Sequence, residues 1–290
     1  MTTTDQRYPS YPSYPRVLSI AGSDSGGGAG IQADLKTFAA LGCYGMTAIT
    51  ALTAQNTRGV SAIHDVTPAF LKAQIQAVVE DIGVDAIKLG MLPTPEIVEV
   101  VAWAIDHYRL TNVVLDTVMV ASSGQRLTAA TTADALVREL FPRCTLVTPN
   151  LDEAALLIGR AIDGADAMEG AAEELLALGA HAVLLKGGHL HGDALVDVLV
   201  ARDSKSARRF VSPRIATRNL HGTGCTLSSA VAANLALGHA LAEAVERART
   251  YVSGAIAAGE DVGTGTGSHG PLNHGFAPVP MRRLSAKPVR

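Results

Sequence analysis

Short runs of β-branched and aliphatic residues alternate with amphipathic stretches from residue 16 onward, and this rhythm constrains the fold more than any other feature of the chain. Apolar residues that recur every two positions suit a strand, and a 3.6-residue recurrence suits a helix. Their regular alternation is the mark of βαβ units with a mostly parallel sheet. Residues 17–21 form the first strand candidate, and after a glycine-rich loop Ile31, Leu35 and Phe38 fall at helical spacing across residues 31–41. Residues 46–52 and 60–66 read as two further strands. Thr67-Pro68 and Thr94-Pro95 each place a capping hydroxyl before a proline suited to the first helical position, which predicts two helix starts. Residues 113–116, 146–148 and 183–186 are apolar runs that end in a polar residue, and residues 193–201 and 209–211 read as an antiparallel pair. Residues 225–237 and 241–257 are Ala-rich helical stretches separated by Gly238-His239. With no solenoid-length repeat and no internal linker, residues 16–290 are expected to form one α/β domain with helices on both faces of the sheet.

Composition agrees with a buried sheet. Hydrophobic residues make up 48% of the chain and aromatics only 4%, so the core must come from Ala, Val, Leu and Ile. A net charge of −3 with scattered Lys and Arg gives no basic face for nucleic acid or anionic lipid. Cys43, Cys144 and Cys225 have neither paired nor CxxC spacing, which argues against a disulfide framework or a zinc site and fits a reducing compartment. Residues 1–15 repeat Tyr-Pro-Ser without the apolar run of a signal peptide, and no later stretch is long and apolar enough to cross a bilayer. A cytoplasmic protein with a disordered leader is expected.

In open α/β sheets, ligands gather outside the carboxyl ends of strands, so the strand endings are where chemistry is sought. Gly22-Ser-Asp-Ser-Gly-Gly-Gly-Ala-Gly30 joins a strand to a helix and would present backbone amides to an anion, or serve simply as a turn that needs φ freedom. It lacks the Lys-Ser/Thr ending of a P-loop. His221-Gly-Thr-Gly-Cys-Thr226 is sharper. Gly222, Thr223 and Gly224 would let successive amides converge on a phosphoryl group at the start of a helix, whose dipole would also favour a thiolate at Cys225; a buried helix-start cysteine behind a tight turn is the alternative.

Asn150 and Glu153 stand i and i+3 at a helix start after Thr148-Pro149. They would hold Mg²⁺ through its waters or, equally well, form a capping box. Lys186-Gly187-Gly188 follows a strand and would reach phosphates or make a turn; Asp116 ends its strand as a metal anchor or a turn acid. Asp34 on the first helix and Gln55 after the second strand lie near the glycine loop in chain order. A Gln amide matches the edge of an aminopyrimidine, although a solvent-facing polar residue looks the same. His189, His191, His269 and His274 lack metal-ligand spacing on one helix and read as loop residues.

Seven stretches occur together in one order: Ala21-Gly-Ser-Asp-Ser-Gly-Gly-Gly-Ala-Gly-Ile-Gln-Ala-Asp-Leu-Lys-Thr37, Thr50-Ala-Leu-Thr-Ala-Gln-Asn-Thr57, Lys88-Leu-Gly-Met-Leu92, Val114-Leu-Asp-Thr-Val-Met119, Thr148-Pro-Asn-Leu-Asp-Glu153, Leu185-Lys-Gly-Gly-His189 and His221-Gly-Thr-Gly-Cys-Thr226. In them the chain resembles the hydroxymethylpyrimidine/phosphomethylpyrimidine kinases, a branch of the ribokinase-like family, over nearly all of residues 16–276. The resemblance implies a three-layer ribokinase-like fold, ATP and Mg²⁺ as cofactors, a pyrimidine substrate of thiamin biosynthesis and a homodimer. It implies that Gly22, Asp34, Gln55 and Met91 border the pyrimidine and that Asp116, Asn150 and Glu153 serve Mg²⁺ and the phosphates. Lys186 would contact the nucleotide phosphates, and Cys225 would be the base in an anion hole formed by the amides of Gly222 to Cys225. A pyridoxal or pyridoxine kinase is the nearest alternative, and a non-catalytic vitamin-binding protein a more distant one. Thr117 and Asp152 stand where many members have proline, which is expected to alter loop stiffness more than chemistry.

Overall fold

The computed structural model describes residues 12–119, 130–188, 190, 192–204 and 206–285. Among them, nine strands form one sheet: β1 Arg16–Asp24, β2 Tyr44–Asn56, β3 Gly59–Asp65, β4 Ala86–Leu89, β5 Val113–Leu115, β6 Leu146–Val147, β7 Ala182–Lys186, β8 Ala194–Ala201 and β9 Arg208–Pro213. Their order across the sheet is β3-β2-β1-β4-β5-β6-β7-β8-β9. Neighbours from β2 through β1 and β4 to β7 run parallel, while β3, β8 and β9 join antiparallel. The chain leaves β1 for β2 on one side and returns to β4 on the other, so a crevice opens outside the carboxyl ends of β1 and β4. Such a reversal of strand order is where α/β sheets bind ligands.

The helices are α1 Gly30–Ala40, α2 Pro68–Asp81, α3 Pro95–Tyr108, α4 Ala130–Ala135, α5 Leu151–Ile158, α6 Met168–Ala177, α7 Thr223–Ala236 and α8 Leu241–Ala257. Alternate strand residues feed two cores. Val113 and Leu115 of β5 face the layer carrying Leu71, Ile75, Ile97, Val101 and Leu175, whereas Val114 faces Phe38, Val231, Ala244 and Ala248. The result is the three-layer arrangement with a mostly parallel sheet that the alternating pattern and the resemblance implied. Helix α7 is buried at every residue from Thr226 to Ala236. Its Ala, Ser and small aliphatic composition is what permits a helix to be enclosed on all sides. Thr67 and Thr94 cap α2 and α3 by accepting the amides of Phe70 and Ile97, as their sequence context predicts.

Three departures matter for the site. Strand β4 was not among the predicted strands, because Lys88 interrupts a four-residue apolar run; the lysine is completely buried there. Strand β2 continues past residue 52 to Asn56 through its antiparallel pairing with β3, so Gln55 stands on a strand rather than in the loop after it. Residues 1–11 of the expected leader lie outside the described residues. The rest of it is tied down: the Leu284 amide donates to the Ser13 carbonyl at 2.7 Å and the Tyr44 amide to the Pro15 carbonyl at 2.8 Å. No helix among the described residues is long and apolar enough to cross a membrane.

Candidate active site

The glycine loop after β1 is organised from within. Asp24 accepts the amides of Gly26 (2.8 Å), Gly28 (3.1 Å) and Ala29 (2.8 Å), and its Oδ2 lies 3.0 Å from His221 Nε2. Burial works against the charge of this carboxyl, but the His221 ring and the Ala29 and Gly26 amides outweigh it and hold its pKa below the ordinary value. This corrects the expectation of an open amide nest. The amides of Gly26, Gly28 and Ala29 are bonded to the loop's own aspartate and do not await an external anion. Gly22 packs against the Met91 side chain: a Cβ there would come within 2.7 Å of its terminal methyl, which would have to shift.

The second loop leads into α7. Gly222 has φ +87°, and a Cβ on it would overlap the carbonyl oxygen of Gly28. Two loops far apart in sequence therefore touch backbone to backbone, with the His221–Asp24 pair joining them beside the contact. The Thr223 amide donates to Leu220 at 3.2 Å. That bond takes Thr223 out of the expected set, while the amides of Gly224 and Cys225 belong to the first helical turn, where N–H groups have no intrahelical acceptor. Behind them the segment after α8 closes the loop: the His221 amide donates to the Gly270 carbonyl at 3.1 Å.

Cys225 stands in the first turn of α7 and is partly exposed. Its thiol does not follow the expected thiolate preference. Burial, with the negative charges of Asp34 and Asp116, pushes its pKa up to about 11, against the opposing pull of Lys88 and the Gly30 amide. Desolvation exceeds the helix-start effect that the sequence suggested.

Two ion pairs flank this cysteine. Asp116, at the carboxyl end of β5, binds Lys186 Nζ at 2.9 Å, and a Cβ at Gly224 would lie 3.4 Å from that ammonium. The pair therefore lies directly against the first turn of α7. Asp34 is fully buried behind the cavity wall, paired with Lys88 at 3.0 Å and hydrogen-bonded by Ser19 and Ser229 at 2.5 and 2.7 Å. It does not line the cavity, so its expected contact with a bound ring is replaced by a contact with Lys88. Asn150 and Glu153 adopt the capping box: Asn150 Oδ1 accepts the Glu153 amide and Glu153 Oε2 accepts the Asn150 amide, both at 2.9 Å. Thr117 also donates to Glu153 Oε2, at 3.0 Å. Its hydroxyl thus touches a site carboxylate, which a reading based on loop stiffness alone missed. Burial foremost, then the like charge of Asp116, pushes the Glu153 carboxyl up despite Lys186.

These groups surround a cavity of about 390 Å³. Gly22, Gln55, Met91, Asp116, Asn150, Glu153, Lys186 and residues 222–225 all line it. The lining also includes the apolar Leu195, Pro213, Ile215, Val252 and Ile256 together with the charged Asp197, Arg214 and Arg249. Sequence reasoning missed Asp24, His221 and Lys88 as site residues. All three sit inside the quoted motifs without a role, and Lys88 had one further signal, a lone cation inside a run that a parallel sheet buries. His274 is buried against the Thr226 hydroxyl at 2.9 Å and His269 stands in an exposed loop, while His189 and His191 lie outside the described residues.

A family model described as phosphomethylpyrimidine kinase matches residues 24–273. A hydroxymethylpyrimidine/phosphomethylpyrimidine kinase from Rhizobium meliloti is 51% identical over 258 residues, covering 89% of this chain and 96% of its own length. The thiamine biosynthesis bifunctional protein ThiED of Geobacter sulfurreducens is also 51% identical, over 266 residues; that is 92% of this chain and 53% of the relative, so the chain spans about half of it. Among solved structures, an ADP complex of Bacillus subtilis pyridoxal kinase superposes with a TM-score of 0.83 at 39% identity, covering 91% of this chain and 98% of that one. The cavity stands at the strand-order reversal where such sheets bind ligands, and these matches show that the chain belongs to the phosphomethylpyrimidine kinase family.

Proposed function

We propose that the chain transfers the γ-phosphoryl group of ATP to the hydroxymethyl oxygen of 4-amino-5-hydroxymethyl-2-methylpyrimidine, and then phosphorylates the monophosphate to the diphosphate. The observation that carries this reading is the backbone contact between Gly222 and Gly28, which sets the anion hole of Gly224 and Cys225 in one cavity with Gln55 and Met91. The flat ring lies against Gly22 and Met91, and the Gln55 amide reads its polar edge. Adenine packs against the apolar Pro213, Val252 and Ile256, so that the phosphates run past Lys186 toward the Gly224 and Cys225 amides.

The transfer is in line. The bond between the γ-phosphorus and the bridging oxygen breaks, its electron pair leaves with ADP, and a new bond forms to the alcohol oxygen as its proton passes to Cys225 Sγ. Because the transition state is loose, positioning and charge neutralisation by the two amides and Lys186 supply most of the acceleration. The donor set fits Mg²⁺. Asp116 and Glu153 both line the cavity, and the like charge of Asp116 adds to burial in raising the Glu153 pKa, a repulsion that a divalent cation would relieve. Glu153 would hold it through water, and it would neutralise phosphate charge.

A pyridoxal kinase is the second reading, favoured by the superposition on the Bacillus subtilis enzyme. A coupled ATP-consumption assay offering each alcohol separately distinguishes the two. Rapid turnover of the pyrimidine with little of pyridoxal is expected, and the reverse preference would overturn the substrate assignment.

A further inference from the structure

The proton acceptor assigned above has a difficulty: a thiol ionising near pH 11 is thiolate in only about one molecule in 10⁴ at pH 7. The surroundings of Cys225 contain a group that already limits this rise and without which the thiolate would be rarer still. Lys88 projects from the interior of β4 with no solvent exposure, yet its side chain forms part of the cavity wall that also carries Cys225. Its partner Asp34 comes from α1 and is bonded in turn by Ser19 of β1 and Ser229 of α7. Ser229 follows Cys225 by four residues on α7, so it lies on the same helical face, one turn deeper. The ion pair is thereby fixed by four different elements and tied to α7 one turn from Cys225. A buried pair carries a desolvation cost that a well-packed apolar pair would avoid, so its presence calls for a use other than holding the core together.

We propose that Lys88, fixed by Asp34, is a positioning residue that supplies positive charge near Cys225 and so keeps the sulfur able to take the substrate proton. The inference rests on Cys225 being the proton acceptor. The charged groups that act on the sulfur are Lys88 from β4, Asp34 from α1, and Asp116 and Lys186 from the ends of β5 and β7; the Gly30 amide opens α1 beside it. Lys88 and Asp34 push the thiol in opposite directions, and that opposition makes the inference testable. The two hydroxyls on Asp34 spread its charge away from the sulfur, which leaves Lys88 the dominant member of the pair.

The readout is the rate at which iodoacetamide alkylates Cys225 from pH 7 to 10 in the intact full-length protein, followed by peptide mass spectrometry. Cys43 and Cys144, both buried, serve as internal controls for unfolding. Lys88→Met is expected to slow alkylation at pH 8.5 by about tenfold or more, the equivalent of one pKa unit, and Asp34→Asn to speed it by a similar factor. Lys88→Met with Asp34→Asn removes both buried charges and should return the rate toward that of the unmodified chain. Changes of the same sign in the two single variants, or none in either, would overturn the inference, because a purely structural role moves both alike. If Lys88→Met does not fold, the other two decide: Asp34→Asn alkylated no faster than the parent overturns it. Turnover of Cys225→Ala is measured alongside. Full activity there removes the cysteine from the reaction, whereas the alkylation rates still report whether Lys88 governs the thiol.

Discussion

Replacing Gly222 with alanine puts the contact between the two loops under direct strain. The residue has φ +87°, where an alanine costs about 1–2 kcal/mol relative to glycine. The added methyl would also overlap the Gly28 carbonyl oxygen and lie 2.9 Å from its carbon and 3.3 Å from the Ala29 Cα. All three obstacles are backbone, so no rotamer change relieves them, and overpacking of this kind costs a further ~1–3 kcal/mol. The total of ~2–5 kcal/mol has two outlets. If the loops stay together, the melting temperature falls by roughly 4–20 °C, at about 2–4 °C per kcal/mol for a chain of this size. If they separate by an ångström, stability is largely kept and turnover falls on the order of 100-fold, because the amides of Gly224 and Cys225 no longer meet the phosphate. Thermal unfolding followed by fluorescence, together with steady-state ATP consumption in the presence of the pyrimidine, measures both. A Gly222→Ala protein with parental melting temperature and parental turnover would refute the close approach of the loops.

Cys225→Ala should lose most turnover while an ATP analogue still binds within about threefold of the parental affinity by calorimetry, since the phosphates are held by backbone amides and Lys186; equal loss of binding would give the cysteine a structural role instead. Asp24 has a folded pKa below the ordinary aspartate value of 3.8, so its contribution to stability is present above pH 3.8 and disappears as pH falls through the lower, folded value. Urea unfolding between pH 5 and 2 should therefore show an acid loss of stability that Asp24→Asn lacks, and identical acid limbs would contradict the assignment. The Cys225 thiol is displaced the other way. It stabilises the fold below its reference pKa of 9.0 and ceases to do so as pH rises through about 11, so Cys225→Ser should lose less stability between pH 9 and 11 than the parent does.

The parts of this protein that sequence reveals are those fixed by local rules. Alternating periodicity located most strands, the Thr-Pro pairs located two helix starts with their caps, and Gly222 and Gly224 ahead of Cys225 marked the start of α7. What it conceals depends on partners distant in the chain. Lys88 reads as a break in an apolar run because its carboxylate lies 54 residues earlier on another element. Asp24 reads as one more loop polar residue, although its geometry makes it the acceptor that folds the glycine loop. Asn150 and Glu153 show the limit from the other side: their spacing suits a metal site and a capping box equally, and only coordinates show the cap forming with both residues still on the cavity wall. The thiolate expected at Cys225 failed for a related reason, since a helix start is visible in sequence and the depth of burial around it is not.

The most direct test is a crystal structure with the hydroxymethylpyrimidine and a non-hydrolysable ATP analogue bound together. The account predicts the hydroxymethyl oxygen between Cys225 Sγ and the γ-phosphorus, with the Gly224 and Cys225 amides donating to γ-phosphate oxygens and Lys186 alongside. A γ-phosphate seated instead on the amides of residues 25–29, or a hydroxymethyl group turned away from Cys225, would contradict it.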